Sequence, residues 1–160
     1  MKIFQELYIN LQKYDRASFI GQLEKHLITG WSRETSCEQE VGTNHLSIYR
    51  FNCFKRLAND NEDLPNALLW LTEKTPTQLS VSNILPDDGR VRELSCDQYN
   101  QLLSEFHDKM VKPLADELQI TVELTPSEIR LEDKLPKSSK LFKSFSRLAN
   151  KTTGSAYPLD

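Results

Sequence analysis

The chain has 160 residues, 38% of them apolar and 27% charged, with 20 Lys and Arg against 23 Asp and Glu and a net charge of −3. That length suits one domain, or one domain with an appendage, and buries about 70% of the unfolded surface; the composition excludes collagen-like, low-complexity or wholly disordered sequence. The longest apolar run, Ala67–Leu71, is five residues, against the roughly 20 that a membrane helix needs, and Met1 to Glu6 show no apolar leader region.

The first segment alternates. Ile3, Leu7, Ile9 and Leu11 share one face, with Phe4, Glu6, Tyr8 and Asn10 on the other, which predicts a strand with one buried side. Asp15 can then cap a helix whose apolar stripe is Phe19, Ile20, Leu23 and Leu27, and Gly30 is placed to end it. Residues 31–44 are polar without a period and predict a loop.

Leu46–Phe54 is rich in β-branched and aromatic residues and predicts a strand; a polar break at 58–63 follows. Leu68–Glu73 and Leu79–Leu85 flank Lys74-Thr75-Pro76-Thr77, the pattern of a β-hairpin, with a short helix over Leu64–Leu71 as the alternative. Pro86-Asp87-Asp88-Gly89 is a turn by composition.

Ser95-Cys96-Asp97-Gln98 is a capping box. The recurrence of Tyr99, Leu102, Leu103, Phe106, Met110, Leu114 and Leu118 predicts a long helix, kinked or broken near Val111 by Pro113. Ile120–Leu124 alternates again, Thr125–Glu128 repeats the capping-box pattern and is expected to start only a short turn, and a last helix is expected from about Ser138 to Asn150. The sum is an α+β fold: an antiparallel or mixed sheet of about five strands with helices on one face, in a ferredoxin-like layout. An α+β domain over 1–133 would carry a basic amphipathic helix and polar tail over 134–160, docked on it.

Charge is unevenly distributed. Residues 134–151 hold Lys134, Lys137, Lys140, Lys143, Arg147 and Lys151 and no acid, leaving a net of −9 on the remainder. At 100° per residue, Lys140, Lys143, Arg147 and Lys151 fall within about 80° of arc. Leu141, Phe142, Phe145, Leu148 and Ala149 take the other side. A solvated face on a docked helix accounts for this pattern. So does an acidic protein surface, an anionic membrane surface or, with the acidic body opposing it, the phosphates of a nucleic acid. The following Thr152-Thr153-Gly154-Ser155 lacks the glycine spacing and lysine of a phosphate loop.

Catalytic signals are sparse. Cys37, Cys53 and Cys96 are odd in number and widely spaced, which predicts buried thiols in a reducing cytoplasm. Cys37, His45 and Cys53 sit at intervals of eight residues, too wide for a paired-ligand metal motif unless the loop folds back, so no metal or other cofactor is expected. His26 reads as a helix-end histidine and His107 as a boundary histidine. Trp31-Ser32-Arg33-Glu34, with Glu38 and Glu40 near, is the stretch that most resembles a ligand site. There Arg33 would clamp an anion, Trp31 would stack, and Glu34 or His45 would exchange protons. Two functions follow: a cytoplasmic non-enzymatic module binding a macromolecule through Lys140, Lys143, Arg147 and Lys151, or a small enzyme for a phosphorylated or nucleotide-like substrate at loop 31–45.

Overall fold

The computed structural model describes residues 1–38, 51–59, 62–89 and 91–128. They form an α+β fold around a six-stranded sheet of order β2-β3-β4-β5-β1-β6, every neighbouring pair antiparallel. The strands are β1 (Leu7–Asn10), β2 (Trp31–Arg33), β3 (Phe51–Arg56), β4 (Ala67–Thr75), β5 (Gln78–Pro86) and β6 (Thr121–Leu124). The helices are α1 (Arg16–Lys25), α2 (Cys96–Phe106) and α3 (Lys112–Leu118), with a π-helical turn at His107–Val111 between the last two.

Alternation explains the layering. In β3 the even positions Asn52, Phe54 and Arg56 share one face. Arg56 meets Glu105 of α2, Phe54 meets Phe106 of α2, and Asn52 meets Arg16 of α1. Helices α1 and α2 therefore lie on that face, and the end of α1 is joined to α3 where His26 Nε2 meets Glu117 at 3.0 Å. Leu7, Ile9 and Leu11 point into the same core, fully buried with Phe19, Leu23, Leu102, Leu103 and Phe106. Each such side chain contributes about 1.5–3 kcal/mol by leaving water.

Local signals act as expected at several points. The Ser18 amide donates to the Asp15 carboxylate at 2.7 Å, and both bonds of the Ser95–Gln98 capping box are present. The hairpin of β4 and β5 forms, paired from Ala67↔Pro86 to Thr75↔Gln78. Ala67–Leu71 is thus strand and not helix, with Ala67, Leu69 and Leu71 buried at alternate positions.

Other expectations are corrected. The sheet has six strands, not about five, because Trp31–Arg33, expected as loop, pairs with Arg56–Phe54. Three residues are too few to show a period; the partner strand makes this one. The four strands β2 to β5 run as a consecutive meander, with β1 and β6 added beyond β5. Helix α1 ends at Lys25 with His26 as its cap, four residues before Gly30. Gly30 has φ +95° and its carbonyl accepts from Leu57 at 2.8 Å, so it turns the chain into β2.

Pro113 neither breaks the rod nor sits in a regular turn. The Lys112 amide reaches back to the His107 carbonyl, and the π turn places Pro113 at the start of α3, where its missing N–H leaves no gap in the ladder. Thr125–Glu128 starts no helix within the described residues: Thr125 exchanges bonds with Glu6, and Glu128 bridges Lys2. The expected strand over 46–50 and the basic helix and tail beyond Glu128 lie outside the described residues.

Candidate functional site

The loaded stretch at 31–38 is built by β2, the outer strand of the sheet beside β3. Trp31 is only 7% exposed and packs on Phe106, ring centroids 5.5 Å apart, so its face is covered by the core. Its indole N–H donates to Glu105 Oε1 at 2.6 Å. Arg33 donates through Nε and NH2 to the two oxygens of Glu38, at 3.0 and 2.9 Å, and its NH1 lies 3.8 Å from Glu24. The Glu38 contact is the main cause that raises the Arg33 pKa, with burial opposing. Glu34 continues the strand, its amide donating to the Cys53 carbonyl at 2.8 Å.

Glu38 is the hub of this end. Besides Arg33 it accepts from the Asn52 amide group at 2.9 Å and the Cys53 backbone N–H at 3.2 Å. Asn52, 1% exposed, accepts from Arg16 at 2.6 Å, and Arg16 faces Glu73 at 3.3 Å. A continuous line of alternating charge and amide thus runs from α1 to β4. A ligand anion at Arg33 would displace a bidentate carboxylate.

A second ionic cluster lies two residues along the same strand pair. Arg56, its side chain 6% exposed, forks onto Glu62 at 2.6 and 3.0 Å and reaches Glu105 at 2.9 Å. Hydrogen bonding to Glu62 raises the Arg56 pKa most, against the opposing effect of burial, with Glu105 adding to it. Arg56 in turn holds the Glu62 carboxyl below the ordinary range. For Glu105 burial is the largest influence and pushes upward, but the bonds from Arg56 and Trp31 prevail and the net shift is down. These groups were invisible as a site in the sequence because Arg56 and Glu105 are 49 residues apart.

Among the described residues two further features stand out. Cys53 is fully buried, and burial is the main cause that pushes its thiol up. The other is a groove of about 340 Å³ where the sheet splits. Strand β1 pairs with β5 only over Tyr8–Asn10 and Gln78–Ser80, after which β5 runs on to Pro86. Residues 2–6 instead follow the β6 side, through Ile3 to Ser127 and Lys2 to Glu128. The gap is lined mainly by Phe4, Ile84, Leu85, Pro86, Leu94 and Tyr99, with Asn83 and Glu93 also on its wall. Phe4 and Leu85 are 46% and 43% exposed. Burial pushes the Tyr99 hydroxyl up to about 12, and its ring meets Phe4 edge-on at 5.1 Å.

The structure therefore brings Trp31, Arg33 and Glu34 into one strand and its continuation but ties the first two to Glu105 and Glu38. His45, Glu40, Lys140, Lys143, Arg147 and Lys151 lie outside the described residues. Among the described residues no group of three or more His, Cys, Asp or Glu side chains is arranged to hold a metal ion, and no helix is long and apolar enough to cross a membrane. No family model, no curated protein and no solved structure matches this chain.

Proposed function

We propose that the chain is a non-enzymatic interaction module of the cytoplasm that binds another protein. Its contacts are the apolar groove at Phe4 and Leu85 and the basic stripe Lys140, Lys143, Arg147 and Lys151, which takes an acidic surface of the partner. The observation that carries this reading is the groove's position. Glu128 is bridged to Lys2, two residues from Phe4. Lys140, where the stripe begins, is twelve residues further, a reach of at most about 40 Å. Apolar anchors and a basic stripe so close together in the chain suit one partner carrying apolar side chains within an acidic rim.

Polar groups that would suit a substrate are already bound to each other: Arg33 to Glu38, and Trp31 and Arg56 to Glu105. That is the reason for preferring a binding module to an enzyme at loop 31–45. The described residues also carry eleven basic and eighteen acidic side chains, a net of −7, which repels a polyanion away from the stripe.

The test is capture from cell extract by the full chain and by two variants, Leu85→Asp and Lys140→Glu with Arg147→Glu. A protein held by the wild type, lost by both variants with unchanged melting temperature, and retained after nuclease treatment is the expected result. Equal retention by both variants overturns the reading, and so does capture of nucleic acid alone.

A further inference from the structure

Phe4, Leu57 and Leu85 are the large apolar side chains most open to solvent among the described residues, and two of them, Phe4 and Leu85, stand at the groove where the sheet splits. Ile84, Pro86 and Leu94 continue its apolar lining. Its rim is acidic: Glu93 is on the wall, and Asp87 and Asp88 follow directly from Pro86. The chain itself carries the complement. Leu141, Phe142, Phe145 and Leu148 recur at helical spacing opposite the basic stripe, and residues 134–151 hold six positive charges and no acid. They are also within reach. Glu128 is bridged to Lys2, two residues from Phe4, and Leu141 is thirteen residues beyond Glu128, a span of at most about 45 Å.

We propose that in the free chain Leu141, Phe142, Phe145 and Leu148 sit in this groove, so that the segment 138–150 guards the partner site and the partner must displace it. That the docked segment is a guard rests on the binding role proposed above; the docking itself does not. An apolar side at helical spacing is stabilised by leaving water, and the groove offers apolar surface beside the residues where the tether starts. With that side down, the basic stripe faces away from the groove at about a Debye length from the acidic rim. Attraction to the rim favours the docked state while the charges stay open to a partner. A tether of this length gives an effective concentration of about a millimolar. A contact that held a free peptide at only about 0.1 mM would then close the groove about nine-tenths of the time and weaken partner binding about tenfold.

The experiment places a photo-cross-linker in the groove of the full chain, Phe4→p-benzoylphenylalanine, irradiates the dilute protein and maps the peptides. The expected product is a cross-link within one chain to a peptide containing Leu141 to Leu148, with a yield that does not change on dilution. Phe142→Asp with Phe145→Asp should lower that yield about fivefold or more, since two charged side chains no longer enter an apolar groove. In the capture test above, the same double variant without the cross-linker should bind the partner about tenfold more tightly than the wild type. Three outcomes overturn the proposal: no cross-link to residues 138–150, cross-links only between chains, or equal partner binding by the wild type and the double variant. A chain that captures no partner in any form overturns the binding role instead, and the cross-link still decides the docking.

Discussion

Trp31 and Arg56 share a single oxygen: the indole N–H and the guanidinium Nε both donate to Glu105 Oε1, at 2.6 and 2.9 Å. One carboxylate from α2 thus satisfies a donor on β2 and a cation on β3, and it does so beside the Phe106 ring on which Trp31 packs. Because Arg56 is 6% exposed in its side chain, its charge depends on these partners.

Removing Glu105 leaves Arg56 with Glu62 alone and orphans the Trp31 N–H. Glu105→Ala should lower stability by about 3 kcal/mol, in the range for breaking a buried ion pair from one side. Glu105→Gln keeps an acceptor for Trp31 and loses only the charge, so about half that loss is expected. Urea unfolding of the two variants separates the terms; equal losses would mean that the Trp31 bond contributes nothing.

The same cluster sets an acid limit. Glu62 and Glu105 both have folded-state pKa values below the ordinary carboxylate value. A depressed folded pKa contributes stability that is complete above the unfolded value, about 4.3 for Glu, and is lost as pH falls through the folded value. Melting temperature should therefore vary little on their account between neutral pH and about 5.5, then drop below about 4.3. Glu105→Gln, starting lower, should show a shallower acid drop than the wild type; parallel curves would remove Glu105 from the transition.

What was legible in the sequence followed from periodicity and short-range chemistry. The alternation of Leu7, Ile9 and Leu11, the Asp15 cap and the Ser95–Gln98 box each act over a few residues, and each is found in the fold. Strand β2 is three residues long, and only its pairing with Arg56–Phe54 defines it. Trp31 and Arg33 were recognisable as residues with binding chemistry. What the sequence could not show is that Glu105, 74 residues on, and Glu38, five residues on, occupy them. The approach of residues 34–38 to Cys53 was hidden similarly, since it rests on the bonds of Glu34 and Glu38 to the Cys53 backbone.

Asn100 imitates a strand where the sheet splits. Its side-chain oxygen accepts from the Gln5 amide at 2.7 Å and its NH2 donates to the Ile3 carbonyl at 2.8 Å, so it holds residues 3–5 to α2 on either side of Phe4. Both backbone groups lose that partner in Asn100→Ala, and a cost of about 2 kcal/mol is expected. Hydrogen exchange at Gln5 should speed up far more than at Tyr8 or Ile9, which β5 and β6 pair. Uniform acceleration across residues 3–10 would show that the split segment and β1 open together. In the proposed binding module this variant should also weaken partner capture, because Phe4 loses its fixed place.

Gln119 caps α3 in the left-handed region, at φ 59° and ψ 40°, and its side chain is exposed. The conformation is needed because the Ile120 amide must turn back to the Ala115 carbonyl at 3.0 Å before β6 begins. A side chain in that region costs about 1 kcal/mol, whereas glycine adopts it freely. Gln119→Gly should relieve the strain, lose some of the gain to the greater freedom of the unfolded chain, and stabilise the protein by about 0.5 kcal/mol. Gln12, at φ 55° and also exposed, offers an independent second case. Thermal unfolding of both glycine variants checks the point: a lower melting temperature for each would show that the unfolded-chain entropy exceeds the strain released.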